Sequence, residues 1–545
     1  MSEDEEALQP SYRPVKPIPF ELIQHSGIFL EEKLYTQALD LLLSILTSAT
    51  PAPTPIFAPL PQHLAVAATF LVHPSTTTRA KTAEEAEAPN AALRLLRLTN
   101  TLAGPVSANF GRAFSFTHFE TSRRGRRRHD HDEDDEMKPL NLDLGQSASV
   151  WSRAEDFWHA VGWAFNCSVL HPQRWKRWHT WLEFMCEVLE DDWAERMRLH
   201  AATKEEETPN PKPKDGPQIL TESLIVRYIV EGGGGVGSSK TRRIMRAIFA
   251  DGSPAHVNEF REVFHKELKQ PKREAENIKK REVEVNIEQE QYGDYLTNDN
   301  DDAGSSQDET DPSASATGKG KRPPRQTKRP RRGTRSAKDP SADDDVHAAP
   351  LPNGIDHLGG LPSLALRQRL LHLLSTVSQH LPASFINLEG LYHLFVENIR
   401  HLPLSTFQAL VSPSVLPYFS AAATTTLCEC LLFRMRESGA ADSDEEYLSQ
   451  SKLERCFLPY AASTTGIVDN AKMSIAIEAL LMLLDDGGLL KVTPELKAAL
   501  KKGIWARAEK AQQSRKFEIT EYHWLSESAD RLRFLVDEVL SEGSS

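Results

Sequence analysis

Apolar residues recur every three or four positions along most of this chain, the spacing that places side chains on one face of an α-helix. Near the N-terminus, Leu34, Ala38, Leu41, Leu42 and Ile45 follow this spacing and predict a helix. The same pattern predicts helical blocks at 64–72 and 91–102, separated by Pro-rich and polar stretches. We therefore expect an all-α fold.

Aromatic residues concentrate between positions 151 and 193, which hold seven of the nine tryptophans. Two helices are expected here, at about 151–168 and 172–193, with a break at His171-Pro172 because proline lacks the backbone N–H. The helical spacing favours burial of the indole rings in an N-terminal core. An exposed groove for a partner peptide and a platform for stacking nucleic-acid bases remain alternatives. The cluster comprises Trp151, Trp158, Trp163, Trp175, Trp178, Trp181 and Trp193.

Residues 231–243, EGGGGVGSSKTRR, resemble a phosphate-binding loop in glycine spacing only. A phosphate loop needs lysine directly after its last glycine, so that the amine reaches the terminal phosphates. Here Ser238 follows Gly237, and Lys240 arrives two positions late. A flexible connector is the preferred interpretation, and a nucleotide-binding enzyme using 232–241 is the remote alternative. Beyond it, 254–290 is expected to form a charged helix.

The C-terminal part contains two similar segments that begin 21 residues apart. LHLLSTVSQHLP at 371–382 is matched by YHLFVENIRHLP at 392–403, each an amphipathic helix closed by His-Leu-Pro. Two such helices of one size are typical of a HEAT-like stack of helical hairpins. An irregular helical bundle is the competing interpretation. Further helices are expected at 414–437, 448–458, 468–485, 494–511 and 522–541.

These patterns predict two helical bodies separated by a long charged linker. Whether the bodies dock on each other is left open by periodicity. The expected organisation is an acidic disordered tail at 1–14, an N-terminal body at 15–290, a disordered linker at 291–358 and a C-terminal body at 359–541. Within the N-terminal body, charged or polar loops are expected at 75–90, 121–148 and 203–216.

The bulk composition, 39% hydrophobic and 26% charged over 545 residues, is that of a soluble protein with some disordered sequence. The formal net charge of −13 means that any affinity for nucleic acid must come from local patches. Five cysteines without a CxxC pair favour a reducing compartment. An acidic N-terminus is unlike a secretory signal, and no apolar run reaches bilayer length, so an intracellular protein without membrane contact is expected.

The segment from Lys319 to Lys338 changes this picture most, because it holds ten Lys or Arg in twenty residues and no large apolar side chain. Such a segment cannot bury enough apolar surface to offset its ordering entropy, so disorder is expected. Dense basic runs act as nuclear-import signals or contact nucleic acid. The candidate residues are Lys319, Lys321, Arg322, Arg325, Lys328, Arg329, Arg331, Arg332 and Arg335.

Reactive chemistry has little support in the sequence. HDHDEDDE at 129–136 holds metal-ligand residue types without the spacing of a specific site, so no metal and no cofactor are expected. No nucleophile motif is present, and no catalytic residue is nominated.

The resulting hypothesis is a nuclear, non-enzymatic scaffold or adaptor, a subunit of a complex acting on chromatin, DNA maintenance or ribosome assembly. Its expected partners are other protein subunits through helical surfaces and a nuclear import receptor through the basic segment. The main alternative is a nucleic-acid-binding protein that contacts DNA or RNA through 123–128 and 319–338.

Overall fold

The computed structural model describes residues 12–48, 54–116, 140–206, 216–230, 238–269, 354–514 and 518–539. In these ranges the protein is mostly helical, as predicted. The described strands form one short parallel pair, β1 (Val15–Lys16) and β2 (Ile56–Phe57), in which Val15 lies opposite Ile56. The basic segments at 123–128 and 319–338 fall outside the described residues.

Twelve α-helices precede the gap at 270–353 within the described ranges. They are α1 (Phe20–Glu31), α2 (Tyr35–Thr47), α3 (Pro61–Phe70), α4 (Ala83–Ala103), α5 (Phe110–Ala113), α6 (Val150–Arg153), α7 (Phe157–Leu170), α8 (Pro172–Glu206), α9 (Gly216–Thr221), α10 (Leu224–Val230), α11 (Ser238–Ile248) and α12 (Pro254–Glu259). Short 3-10 helices lie at Pro74–Thr76 and Asp143–Gly145. The break predicted at His171-Pro172 is present, between α7 and α8.

Three helix boundaries differ from the sequence-based expectation, and capping explains two of them. Helix α4 begins within the expected 75–90 loop, since Thr82 and Glu85 form a reciprocal capping box there. The helix expected at 151–168 is interrupted before Phe157, because the extended Asp156 accepts a hydrogen bond from His159 N and starts a new helix. Helix α8 extends past 193, to Glu206.

The charged helix expected at 254–290 is short within the described residues. Only Pro254–Glu259 is helical, and the chain continues to 269 in bends and turns. Phe260, Phe264 and Glu267 are nonetheless buried there. Phe260 packs so closely on α7 that a Cβ at Gly162 would lie 2.3 Å from its ring. Packing against α7 and α8 therefore overrides the local helical pattern.

Eight α-helices follow the gap. They are α13 (Gly360–His380), α14 (Leu388–Ile399), α15 (Leu404–Val411), α16 (Ala421–Met435), α17 (Gln450–Cys456), α18 (Ile467–Asp486), α19 (Pro494–Gln512) and α20 (Ile519–Phe534), the last continuing as a π-helical turn at Leu535–Val539. Every helix expected beyond 414 is present with shifted ends. The helices that correspond to the two similar segments, α13 and α14, differ in length, with 21 residues in α13 and 12 in α14. Within the expected linker at 291–358, the described residues Gly354–Leu358 form a 3-10 helix in which Leu358 is buried.

The described residues on both sides of the gap belong to one compact unit, which answers the docking question that periodicity leaves open. Arg369 of α13 makes a two-pronged ion pair with Glu190 of α8, at 2.9 and 2.6 Å. The buried Arg367 guanidinium lies 4.0 Å from the ring centre of Phe165 and donates to the carbonyls of Ile248 and Ala250. Contacts of this kind join α13 to the N-terminal helices.

Candidate interaction surfaces

The tryptophan cluster lies in the hydrophobic core. Trp151, Trp158, Trp163, Trp178, Trp181 and Trp193 are at most 5% exposed, while Trp175 is partly buried against the core. The indole N–H of Trp151 donates to Ala65 O at 3.0 Å, and that of Trp158 donates to Tyr228 O at 2.9 Å. These six rings are thus occupied in packing, and their faces are not presented to a partner.

A buried carboxylate, Glu267, organises the centre of this cluster. It accepts hydrogen bonds from the indole N–H groups of Trp178, at 2.7 Å, and Trp163, at 3.1 Å. The guanidinium of Arg174 pairs with the same carboxylate, and both side chains are almost fully buried. Sequence reasoning missed Glu267, because it lies among other charged residues of a stretch that was expected to form a charged helix.

Lys240 donates a hydrogen bond to the helix that precedes it. It lies within α11, and its ammonium donates to Val230 O at the end of α10, at 3.0 Å. The glycines from 232 to 237 lie outside the described residues. Lys240 therefore connects the start of α11 to the end of α10.

The five cysteines are free thiols, and four of them are buried. Burial raises the pKa of the Cys186 and Cys428 thiols, the latter to about 12. Cys430 is partly buried, and burial, together with the nearby carboxylates of Glu429 and Glu389, raises its thiol pKa to about 11. These three thiols stay protonated near neutral pH and do not supply a reactive thiolate.

A cleft of about 450 Å³ opens between α14 and α16. Glu389, His393 and Glu397 line one wall, since a spacing of four residues places them on the same face of α14. Phe433 and Arg434 of α16 line the other. Arg400, at the end of α14, lines the cleft as well, so charged groups of both signs surround the ring of Phe433, which is 38% exposed. The cleft suits a partner side chain with an apolar body and a polar end.

A second surface is formed on α19 by Trp505, which is 69% exposed. Lys501, Lys502 and Glu509 are its neighbours at helical spacing and are also exposed. Trp is over-represented among the residues that dominate binding energy at protein interfaces. The exposure of Trp505 could have been predicted from the sequence. Charged residues at i−4, i−3 and i+4 place this tryptophan on a polar face of the helix.

The candidate import residues, from Lys319 to Arg335, and the Arg-rich run at 123–128 lie outside the described residues, as does the His/Asp run at 129–136. Within the described ranges, no group of three His, Cys, Asp or Glu side chains is placed to hold a metal ion. None of the helices in those ranges combines the length and hydropathy that a bilayer crossing requires.

No known protein family matches the chain, and no curated protein shows significant similarity to it. The candidate surfaces therefore have to be interpreted from their own chemistry.

Proposed function

We propose that the protein is a non-enzymatic nuclear scaffold or adaptor, a subunit of a multiprotein complex acting on chromatin, DNA maintenance or ribosome assembly. The observation that carries the proposal is the basic segment from Lys319 to Lys338, whose ten Lys or Arg occur in a protein of net charge −13. Import receptors bind extended basic chains of this kind. The segment is therefore the proposed import signal, and the helices provide the contact surfaces.

Two surfaces of the C-terminal helices support the adaptor part of the proposal. The exposed indole of Trp505 carries a large apolar area on α19, and its exposed neighbours Lys501, Lys502 and Glu509 together carry a net positive charge. Such an arrangement favours a partner surface that combines an apolar pocket with acidic groups. The cleft beside Phe433 offers a second contact point.

We further propose that the C-terminal helices form a HEAT-like stack. Support comes from the order of packing, in which α14 contacts α16, α16 contacts α18 and α18 contacts α20, so that alternate helices form a layer. Helices α13 and α15, and likewise α17 and α19, also pack on each other. Alternate-helix packing is typical of stacked helical hairpins, in which each repeat contacts its neighbours. The unequal lengths of α13 and α14 make any such stack an irregular one.

The proposal is tested by affinity purification of the full-length protein from nuclear extract, followed by mass spectrometry. Three versions accompany the wild type: one with the ten basic residues of 319–338 changed to Gln, one with Trp505→Ala, and Phe20→Ala as control. Phe20 is 72% exposed but belongs to α1, far along the chain from the proposed surface. We expect the basic-segment variant to keep its protein set when added to extract and to lose nuclear accumulation in cells.

We expect Trp505→Ala to lose at least one stoichiometric partner that Phe20→Ala retains. The adaptor proposal fails if every version recovers the same set, or if nuclease treatment removes all recovered protein. Failure of nuclear accumulation to depend on 319–338 refutes the import role separately.

A second function, nucleic-acid binding, is favoured by the Arg-rich run at 123–128 together with 319–338. Binding through these charges requires release of phosphate counterions, so affinity must fall steeply as salt rises. A DNA and RNA filter-binding series over salt concentration separates the two functions. Retained affinity in the neutralised variant would exclude the basic segment as the contact.

A further inference from the structure

The outward side of α19 carries a row of exposed residues centred on a tryptophan. Members of the row are three or four positions apart, so they share one side of the helix. We call this row the Trp505 face; it consists of Ala498, Lys501, Lys502, Trp505, Glu509 and Gln512. The nearby lysines Lys497 and Lys510 have carboxylate partners in Asp537 and Glu437. The three charged residues of the Trp505 face have no such partner among the residues that the structure describes.

The opposite side of α19 is fixed to the protein. Gly503 approaches the chain after α17 so closely that a Cβ there would lie 1.7 Å from Leu458 O. The guanidinium of Arg507, which is 1% exposed, donates through Nη1 to Leu458 O at 3.3 Å and to Tyr460 O at 3.2 Å. These contacts hold the inner side of α19 against the protein and leave the Trp505 face directed outward.

The charges of the Trp505 face lie on both sides of the tryptophan along the helix axis. Lys501 precedes Trp505 by four residues and Glu509 follows it by four, so each is about 6 Å from it along the axis. In an antiparallel pair of α19 helices with a two-fold axis at Trp505, positions at equal distances before and after Trp505 come together. Lys501 of one copy then opposes Glu509 of the second copy, with Lys502 beside the pair, and the two-fold axis repeats this contact.

A parallel pairing of the same two helices lacks this complementarity. It places Lys501 against Lys501 and Glu509 against Glu509, and contacts between like charges are destabilising. Ion pairs between facing helices fix the orientation of coiled coils for the same reason. In the antiparallel pair the two indoles also meet at the centre, where aromatic side chains supply much of the binding energy of an interface. The Trp505 face is therefore complementary to itself when the helices are antiparallel.

The overall charge of the protein also favours this face as the place where two copies meet. A formal net charge of −13 makes two copies repel each other over most of their surface. The Trp505 face has two lysines and one glutamate, so it is locally positive. Repulsion between two copies is consequently smaller where this face is part of the contact.

We propose that the Trp505 face binds a second copy of this chain through an antiparallel contact of α19 with α19. This inference rests on the proposed adaptor function, because it names the partner of a surface assigned to that function. One helix face is smaller than the roughly 1,600 Å² of a standard interface, so the dimer forms reversibly, with a Kd on the order of tens of micromolar. At the low micromolar concentrations of a denaturation experiment the protein is therefore a monomer.

The test is sedimentation velocity of the purified full-length protein, from about tenfold below to about tenfold above this Kd. We expect a shift from monomer to dimer as the concentration rises, and a weaker dimer in added salt, because salt screens the facing charges. Trp505→Ala should weaken dimerisation by about tenfold or more, since it removes the central aromatic contact. Phe20→Ala removes a ring that is 72% exposed on α1 and should leave dimerisation unchanged.

Charge reversal tests the antiparallel arrangement itself. An acidic variant, Lys501→Glu/Lys502→Glu, and a basic variant, Glu509→Lys, each place like charges opposite one another, so each alone should dimerise about tenfold more weakly or worse. A mixture of equal amounts of the two variants restores opposite charges at every facing pair and should dimerise within about threefold of the wild type. Lys176→Glu reverses an exposed charge on α8 and should have no effect. All of these positions are exposed, so far-ultraviolet circular dichroism should stay that of the wild type.

Three results would each overturn the proposal: a wild type that stays monomeric over the whole range, a dimer that Trp505→Ala leaves unchanged, or a mixture of charge variants that associates no better than either variant alone. The adaptor function is judged separately, from nuclear extract. If Trp505→Ala still loses a partner there while the purified protein is monomeric, a different protein occupies the Trp505 face and only the dimer is refuted. If the purified protein dimerises as expected and no partner is lost from extract, the dimer stands and the adaptor function fails.

Discussion

Replacing Glu267 by Gln tests whether the buried ion pair holds the tryptophan cluster together. The substitution keeps the shape of the side chain and removes its charge. In the wild type the carboxylate accepts from Arg174, Trp178 and Trp163, and also from the backbone N–H of Phe264 at 3.2 Å. The amide of Gln retains one acceptor oxygen and turns an NH₂ group toward these donors.

The dominant cost is the uncompensated charge of Arg174, whose side chain is only 4% exposed. Breaking a buried ion pair from one side costs about 3–5 kcal/mol. Loss of single neutral hydrogen bonds, at about 1 kcal/mol each, is a smaller effect. Since domains are stable by about 5–15 kcal/mol, the expected loss is a large part of the free energy of unfolding.

The assay is urea denaturation followed by tryptophan fluorescence, which reports directly on these rings. Glu509→Gln is the matched control, because Glu509 is an exposed carboxylate of α19 and should change stability by less than about 0.5 kcal/mol. The double variant Arg174→Met/Glu267→Gln should cost less than the sum of the two single variants, by about 0.5–3 kcal/mol. Equal midpoints for Glu267→Gln and Glu509→Gln would refute the reasoning.

Three other substitutions test separate features. Gly503→Ala should destabilise α19 by about 1–3 kcal/mol, because the added Cβ would clash with Leu458 O. This cost should outweigh the roughly 1 kcal/mol by which Ala stabilises a helix relative to Gly. A raised thermal midpoint would contradict the close approach. Thr82→Ala should cost about 1 kcal/mol by removing the α4 cap, measured by urea midpoint, while Thr101→Ala on the exposed face of the same helix serves as control. Burial lowers the pKa of His63 to about 4, below the ordinary 6.5, so the unfolded chain binds the extra proton. The contribution of His63 to the free energy of unfolding is therefore complete above pH 6.5 and decreases as the pH falls toward 4, by on the order of 3 kcal/mol in total. His63→Leu should flatten the dependence of stability on pH over that window.

Periodicity predicted helices wherever the apolar spacing was long and uninterrupted, as in α2, α18 and α19. It failed where a single residue decides a boundary. Asp156 ends one helical pattern and caps the next, and only its extended backbone and its bond to His159 distinguish it from an ordinary exposed acid. The helix predicted around Phe264 is absent for a different reason. Contacts of this stretch with distant helices outweigh its own helical spacing.

The residues of α19 divide in the same way. Trp505 was recognisable from its charged neighbours at helical spacing, whereas the environment of Arg507 was not, since its hydrogen-bond partners lie 47 and 49 residues earlier in the chain. The burial of the tryptophan cluster could be predicted from its helical spacing. The role of Glu267, which accepts hydrogen bonds from two of these rings, could not be predicted in this way.

Local order along the chain thus established the helical class, most helix positions and the unusual charge of 319–338, because these depend on neighbours within a few residues. The packing of α13 on α8, the burial of Glu267 with Arg174 and the burial of Arg507 were decided by tertiary structure. Each depends on groups brought together from distant parts of the chain, where removal from water sets the energy of a charge. A one-dimensional pattern contains the charge but not the distance to its partner or the depth of its burial.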